Sequence, residues 1–138
     1  MGILSGKYND GNIPEGSRMD GDYIAQIMWN KYMGPKVKDA TVKKLQQLGE
    51  YSKELGYTQA QVAVAWTIAN QDVTLCMLGF SRLSQAEENM KALELLKKWS
   101  PEIEERISKI LDNEPEKDMN WRTWTPKQGR RWQRLIQN

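Results

Sequence analysis

The sequence predicts an α/β chain that is mostly helical, with one strand buried on both faces. Three observations carry this. Val73 to Leu78 form a continuous apolar run without polar alternation, the mark of a strand inside a parallel sheet. On either side lie segments with apolar residues at helical spacing and recognisable caps. The chain has 138 residues, 39% hydrophobic and 28% charged, a composition that suits one globular core.

In chain order, residues 1–35 read as loop, because glycines and prolines punctuate GKYNDGNIPEGSRMDGD, with a short helical segment near Tyr23–Tyr32. Val42, Leu45, Leu48, Ser52 and Leu55 then recur at helical spacing, with Asp39 as N-cap and Gly56 as the stop. Gly49 inside this helix is a weak spot of ~1 kcal/mol relative to Ala. Thr58-Gln59-Ala60-Gln61 is a capping box that opens a second helix, through about Asn70. Its body, VAVAWTIA, is apolar nearly all round and predicts tight packing. The strand at about 73–78 follows. Ser84, with Glu87 three residues on, caps a helix to about Leu96. Ser100-Pro101-Glu102 starts the last helix, whose buried stripe is Ile103, Ile107, Ile110 and Leu111.

Composition excludes several chemistries. Histidine is absent, which removes Ser-His-Asp and Cys-His catalysis and argues against a metal site. The single cysteine, Cys76, rules out an internal disulfide and reads as an inert thiol in a reducing compartment. No apolar run approaches the ~20 residues of a membrane span, and the first residues have too short an apolar stretch for a secretory signal. Gly2 follows Met1, but Gly6 stands where a myristoylation motif wants Ser or Thr. A cytoplasmic protein without membrane insertion is expected.

Net charge is +2 but unevenly spread: residues 117–138 hold six Lys/Arg against one Asp. This basic tail interleaves Trp121, Trp124 and Trp132 with arginines. It reads either as a nucleic-acid contact or as tryptophans packed back on the body with the arginines in water. One short tail is no binding fold, so no nucleic-acid partner is expected.

The stretch VTLCMLGFSRLSQAEEN, Val73 to Asn89, is the most telling. An apolar run stops at Gly79 and delivers Ser81 and Arg82 to a helix start. Free N–H groups and the helix dipole favour an anion there, and Arg82 can add charge-assisted hydrogen bonds. A strand buried on both faces also requires strand neighbours, since dry unpaired N–H and C=O groups cost several kcal/mol. One strand among four or five helices lacks them. Either another chain supplies the neighbours or more sequence does.

GILSGKY, then PEGSR, then ELGYTQAQVAVAWTIANQDVTLCMLGFSRLSQAEENMKALELL resemble the C-terminal part of the aldo-keto reductases. The branch in view contains the voltage-gated potassium channel β-subunits and their microbial and fungal relatives. The likeness runs from Gly2 to about Pro115 and rests most specifically on Gly79, Ser81, Gln85, Glu88 and Asn89.

The resemblance implies the C-terminal portion of a (β/α)8 TIM barrel over residues 1–116, followed by the tail at 117–138. Residues 1–35 become the loop after the seventh strand, 39–70 the seventh crossover, 73–78 the eighth strand and 84–96 the eighth helix. The other seven strands are then expected upstream of Met1. The cofactor implied is NADP(H). Gly79, Ser81 and Gln85 match phosphate-side positions, Glu88 and Asn89 match adenine contacts, and Lys7 and Arg18 match the loop that folds over the phosphates. Singly, each also reads as an ordinary turn or surface residue.

The catalytic Tyr, Lys, His and Asp of the family belong to the first half of the barrel. None of Tyr8, Tyr23, Tyr32, Tyr51 and Tyr57 matches the catalytic motif, so no catalytic residue is expected here. The expected function is a truncated NADP(H)-dependent carbonyl reductase carrying the adenosine-phosphate half of the site. The alternative is a non-catalytic interaction protein, self-associating or like a channel β-subunit. Exposed barrel-facing apolar surface predicts a homo-oligomer or a complementing barrel half as partner.

Overall fold

A computed structural model describes residues 2–21 and 23–112; the expectations for the tail at 117–138 lie outside the described residues. A 3₁₀ turn at Ile3–Ser5 is flanked by Gly2 and Gly6, both at positive φ. Six helices follow: α1 Tyr23–Met33, α2 Lys38–Glu54, α3 Gln59–Ala69, α4 Leu83–Met90, α5 Ala92–Leu96 and α6 Pro101–Leu111.

The helices form where caps and apolar spacing place them, with local adjustments. α2 begins one residue before the expected cap: Val37 is the N-cap and gives no side-chain bond, while Asp39 sits in the first turn. There its negative charge complements the positive end of the helix dipole. The capping box of α3 is complete, with Thr58 N–H donating to Gln61 Oε1 at 2.9 Å and Gln61 N–H donating to Thr58 Oγ1 at 3.3 Å. The single helix expected over 84–96 is two, α4 and α5, meeting at Lys91. Arg82, not Ser84, holds the N-cap position of α4. α6 opens on Ser100 with proline in its first turn and stops at Asp112, whose φ of 43° ends the helical path. Lys44 Nζ donates to Leu111 O at 2.7 Å, placing a cation at the negative end of α6.

One expectation is corrected. Val73–Leu78 is not a strand: among the described residues no segment pairs into a sheet, and 73–80 runs as irregular chain. Nor is it doubly buried. Leu75 is 73% and Met77 87% exposed. A ladder needs a second strand to receive its hydrogen bonds, and the apolar run carries no partner of its own. The described residues are therefore helical, and the barrel is a property of the family rather than of these residues alone.

Two clusters make the interior. The larger joins α2, α3, α5 and α6 through Leu48, Tyr51, Val62, Ala65, Leu95 and Ile107. The smaller seats the N-terminal segment on α1 and α2 through Tyr8, Met19, Met33 and Leu45. Tyr8 is fully buried, its ring meeting Trp29 edge-on at 5.6 Å.

At the rim of the larger cluster, the Arg106 guanidinium lies 4.3 Å from the centre of the Tyr51 ring and pairs with Glu54 at 2.8 Å. Burial of the phenol raises its pKa above the ordinary 10.0, with Arg106 opposing the shift. A phenol held protonated in the folded state contributes stability that is full below the unfolded value and is lost as pH rises past it. Between pH 9 and pH 11 the chain is thus expected to lose more stability than its Tyr51→Phe variant. Urea unfolding at both pH values measures the difference, and equal losses would refute the assignment.

Candidate functional site

Residues 77–80 run beside α3 and lead into α4, and a cavity of about 620 Å³ opens between them and the N-terminal turn. Its floor is α3: Ala60, Ala63 and Val64 stand at i, i+3 and i+4, one face of the helix. Two alanines on that face let a ligand come near the helix backbone. One wall carries Ser5 and Lys7; the other carries Phe80 and the exposed turns of α4.

Of the residues singled out from sequence, Lys7, Gly79, Gln85, Glu88 and Asn89 line this cavity. Sequence separates Lys7 from Asn89 by most of the described chain, so their meeting is a product of the fold. Lys7 is exposed, with its ammonium 5.2 Å from the centre of the Tyr8 ring. A Cβ at Gly79 would meet nothing within 4 Å, so packing in this chain does not demand the glycine.

Asn89 supplies the sharpest feature. Its Oδ1 is buried and has no hydrogen-bond partner. A buried acceptor left alone costs ~1–3 kcal/mol, and this one belongs to a residue of the cavity lining.

Ser81 lies beside the cavity. Its N–H and its hydroxyl both donate to Gln85 Oε1, at 3.0 and 3.1 Å, and Arg82 N–H donates to the same oxygen at 3.3 Å. The donors that sequence assigns to an anion thus converge on the Gln85 carboxamide. An anion at this turn has to displace that oxygen or share its donors. Arg18 is not brought in: it is exposed on the turn at 15–20 and does not line the cavity.

Sequence reasoning missed three contributors. Phe80 presents an aromatic ring at the cavity wall. Gln61, 5% exposed, donates from Nε2 to Glu88 O at 2.8 Å while its Oε1 caps α3. Gln59 accepts from Asn9 Nδ2 at 2.7 Å and so holds the segment next to Lys7. The signal was present for Gln61, because a capping-box glutamine uses its oxygen and has amide hydrogens to spare. Among the described residues no group of three or more His, Cys, Asp or Glu is placed to hold a metal ion. No helix of the described residues is long and apolar enough to cross a membrane.

Comparison with known proteins places the chain in a family. The profile of the aldo/keto reductase family matches residues 1–112. The chain is similar to the "Putative voltage-gated potassium channel subunit beta" of Schizosaccharomyces pombe, 39% identical over 114 residues, which is 83% of this chain and 32% of that one. It is also similar to the "Probable voltage-gated potassium channel subunit beta" of Arabidopsis thaliana and that of Oryza sativa subsp. japonica. Each is 32% identical over 121 residues, 88% of this chain and 35% of theirs. The chain spans about a third of the length of the curated relatives it matches. The span and identity of these matches establish that the chain belongs to the aldo/keto reductase family.

Proposed function

We propose that the cavity over α3 receives the adenosine-phosphate portion of NADP(H), and that this chain contributes that half of the cofactor site to a carbonyl-reducing barrel. The unpartnered Asn89 Oδ1 carries the reading. It is a buried acceptor on a residue that lines a cavity of about 620 Å³, in the usual range for small-molecule sites. The amino group of adenine offers the donor it lacks once the carboxamide turns toward the cavity. Lys7 at the rim supplies a cation for phosphate, and Phe80 an apolar face for the base. Ser81 and Gln85 form the phosphate-side turn, and Gly79 leaves the approach open. Arg18 joins them only if its turn moves toward the cavity.

When bound, NADPH supplies a hydride; the residues of this chain bind and orient the far end of the molecule. The reading gives the chain no catalytic residue. It has no histidine, and the tyrosine-centred machinery that the family implies is expected in the barrel's first half. Orientation alone does not reduce a carbonyl, so activity is expected when the complementary half is supplied.

Titration calorimetry of the full chain with adenosine 2′,5′-bisphosphate tests this. Binding is expected, weakened roughly tenfold by Asn89→Ala, the equivalent of one ~1.4 kcal/mol hydrogen bond. Lys7→Ala is expected to weaken it similarly and to reduce its salt dependence. Absence of binding, or binding indifferent to both substitutions, would remove the proposal.

A second reading rests on the exposure of Leu75, Met77, Leu78 and Phe80. An apolar segment without ladder partners offers itself to another edge, so the chain self-associates or captures the rest of a barrel. A clean monomer by light scattering at micromolar concentration would exclude the self-associating form.

A further inference from the structure

The first turn of α3 does more than start a helix. At 100° per residue, Gln59 and Gln61 project to opposite sides of Ala60, which itself floors the cavity with Ala63 and Val64. Both glutamines are at least nine-tenths buried and both reach across to a wall. On one side, Gln59 Oε1 accepts from Asn9 Nδ2 at 2.7 Å, while Gln46 Nε2 donates to Asn9 O at 3.0 Å. That fixes the residue two positions beyond Lys7. On the other side, Gln61 Nε2 donates at 2.8 Å to the carbonyl of Glu88, the residue before Asn89. Gln61 Oε1 is meanwhile committed to Thr58 N–H, so the side chain is held at both ends of its amide.

We propose that this turn is a two-armed spacer, in which Gln59 and Gln61 are positioning residues that set the distance between the Lys7 wall and the Asn89 wall. The inference rests on the cavity being the adenosine-phosphate site, and deepens it by assigning two residues that touch no ligand. Buried amides suit the task. Each bond joins elements far apart in sequence, by 50 residues for Gln59 and 27 for Gln61, and is partly shielded from water that would compete for it. The arms are independent because they leave the helix on different sides.

The two arms are separable by substitution. Gln61→Glu keeps an oxygen for the Thr58 cap but puts a carboxylate oxygen against the Glu88 carbonyl. Gln59→Met keeps the volume and removes the acceptor for Asn9. Amide hydrogen exchange on the full chain without ligand is the first readout. Gln61→Glu is expected to speed exchange at least tenfold across 83–90, and Gln59→Met across 3–11, with α6 unchanged in both.

Adenosine 2′,5′-bisphosphate is the second readout, expected to bind about tenfold more weakly to each variant. Wild-type exchange in the named segments would overturn the proposal. So would equal acceleration everywhere, α6 included, since that is global loss of stability and not loss of an arm. If the segments loosen as expected but the wild-type chain does not bind the probe, the spacer stands and the cofactor reading fails. If wild type and variants bind the probe equally, the arms do not set the site.

Discussion

Leu48→Ala is expected to remove a large share of the chain's stability, ~2–5 kcal/mol, measured as a fall in the urea midpoint. Leu48 is 1% exposed and belongs to the cluster that unites α2 with α3, α5 and α6. Truncation deletes its transfer free energy and leaves a cavity that three helices cannot all collapse into. Small domains hold only about 5–15 kcal/mol in total, so the variant sits near the edge of folding. The adjacent Gln47 is exposed, and Gln47→Ala is expected to change stability by no more than about 0.5 kcal/mol. A loss below about 1 kcal/mol for Leu48→Ala would mean that the four helices do not share one tight interior.

Gly49→Ala is the more diagnostic change because two principles give it opposite signs. Propensity alone makes alanine better by ~1 kcal/mol in a helix interior. Packing reverses this. A Cβ at position 49 would lie 2.9 Å from Asn9 Nδ2 and 3.0 Å from Gln59 Oε1, the two atoms that are bonded to each other. Room for a methyl has to come from breaking or stretching that bond, and overpacking of this kind costs ~1–3 kcal/mol. Net destabilisation is expected, together with faster amide exchange around Asn9. Stabilisation by the alanine would show that the Asn9–Gln59 contact yields without penalty.

Gly49 also marks what sequence did and did not disclose. Its place in a helix was readable from the spacing of Leu45, Leu48 and Ser52; its reason was not, because Asn9 lies 40 residues away. The helices were legible for the same local cause. The Thr58–Gln61 box and the Ser100-Pro101 start act within one turn, and no distant residue decides them. Val73–Leu78 misled because an apolar run reports intended burial, while a strand exists only with a neighbour to bond. Ser84–Leu96 misled by continuity: the apolar spacing does not betray the break at Lys91.

The candidate site divides the same way. Gly79, Gln85, Glu88 and Asn89 fall within eleven residues and could be read together. Lys7 needed the family resemblance to join them, and the fold brings it to the same cavity. Arg18 was drawn in by that resemblance too, yet it stands away from the cavity among the described residues. Gln59 and Gln61 were read for their capping pattern alone, since what a spare amide hydrogen reaches depends on tertiary structure.

The Lys44 contact with the end of α6 bears on the order in which the chain can assemble. It joins residues 67 apart, and the same helix carries Ile107 and Leu111 into the larger cluster. Closing so long a loop is entropically slow. During synthesis, the part of α2 that meets α6 therefore stays uncovered until nearly all the described chain has left the ribosome. Until then the cluster around Leu48 and Tyr51 has its α3 and α5 neighbours but not Ile107 and Leu111, and the emerging polypeptide depends on chaperones over that interval more than a domain built from neighbouring hairpins does.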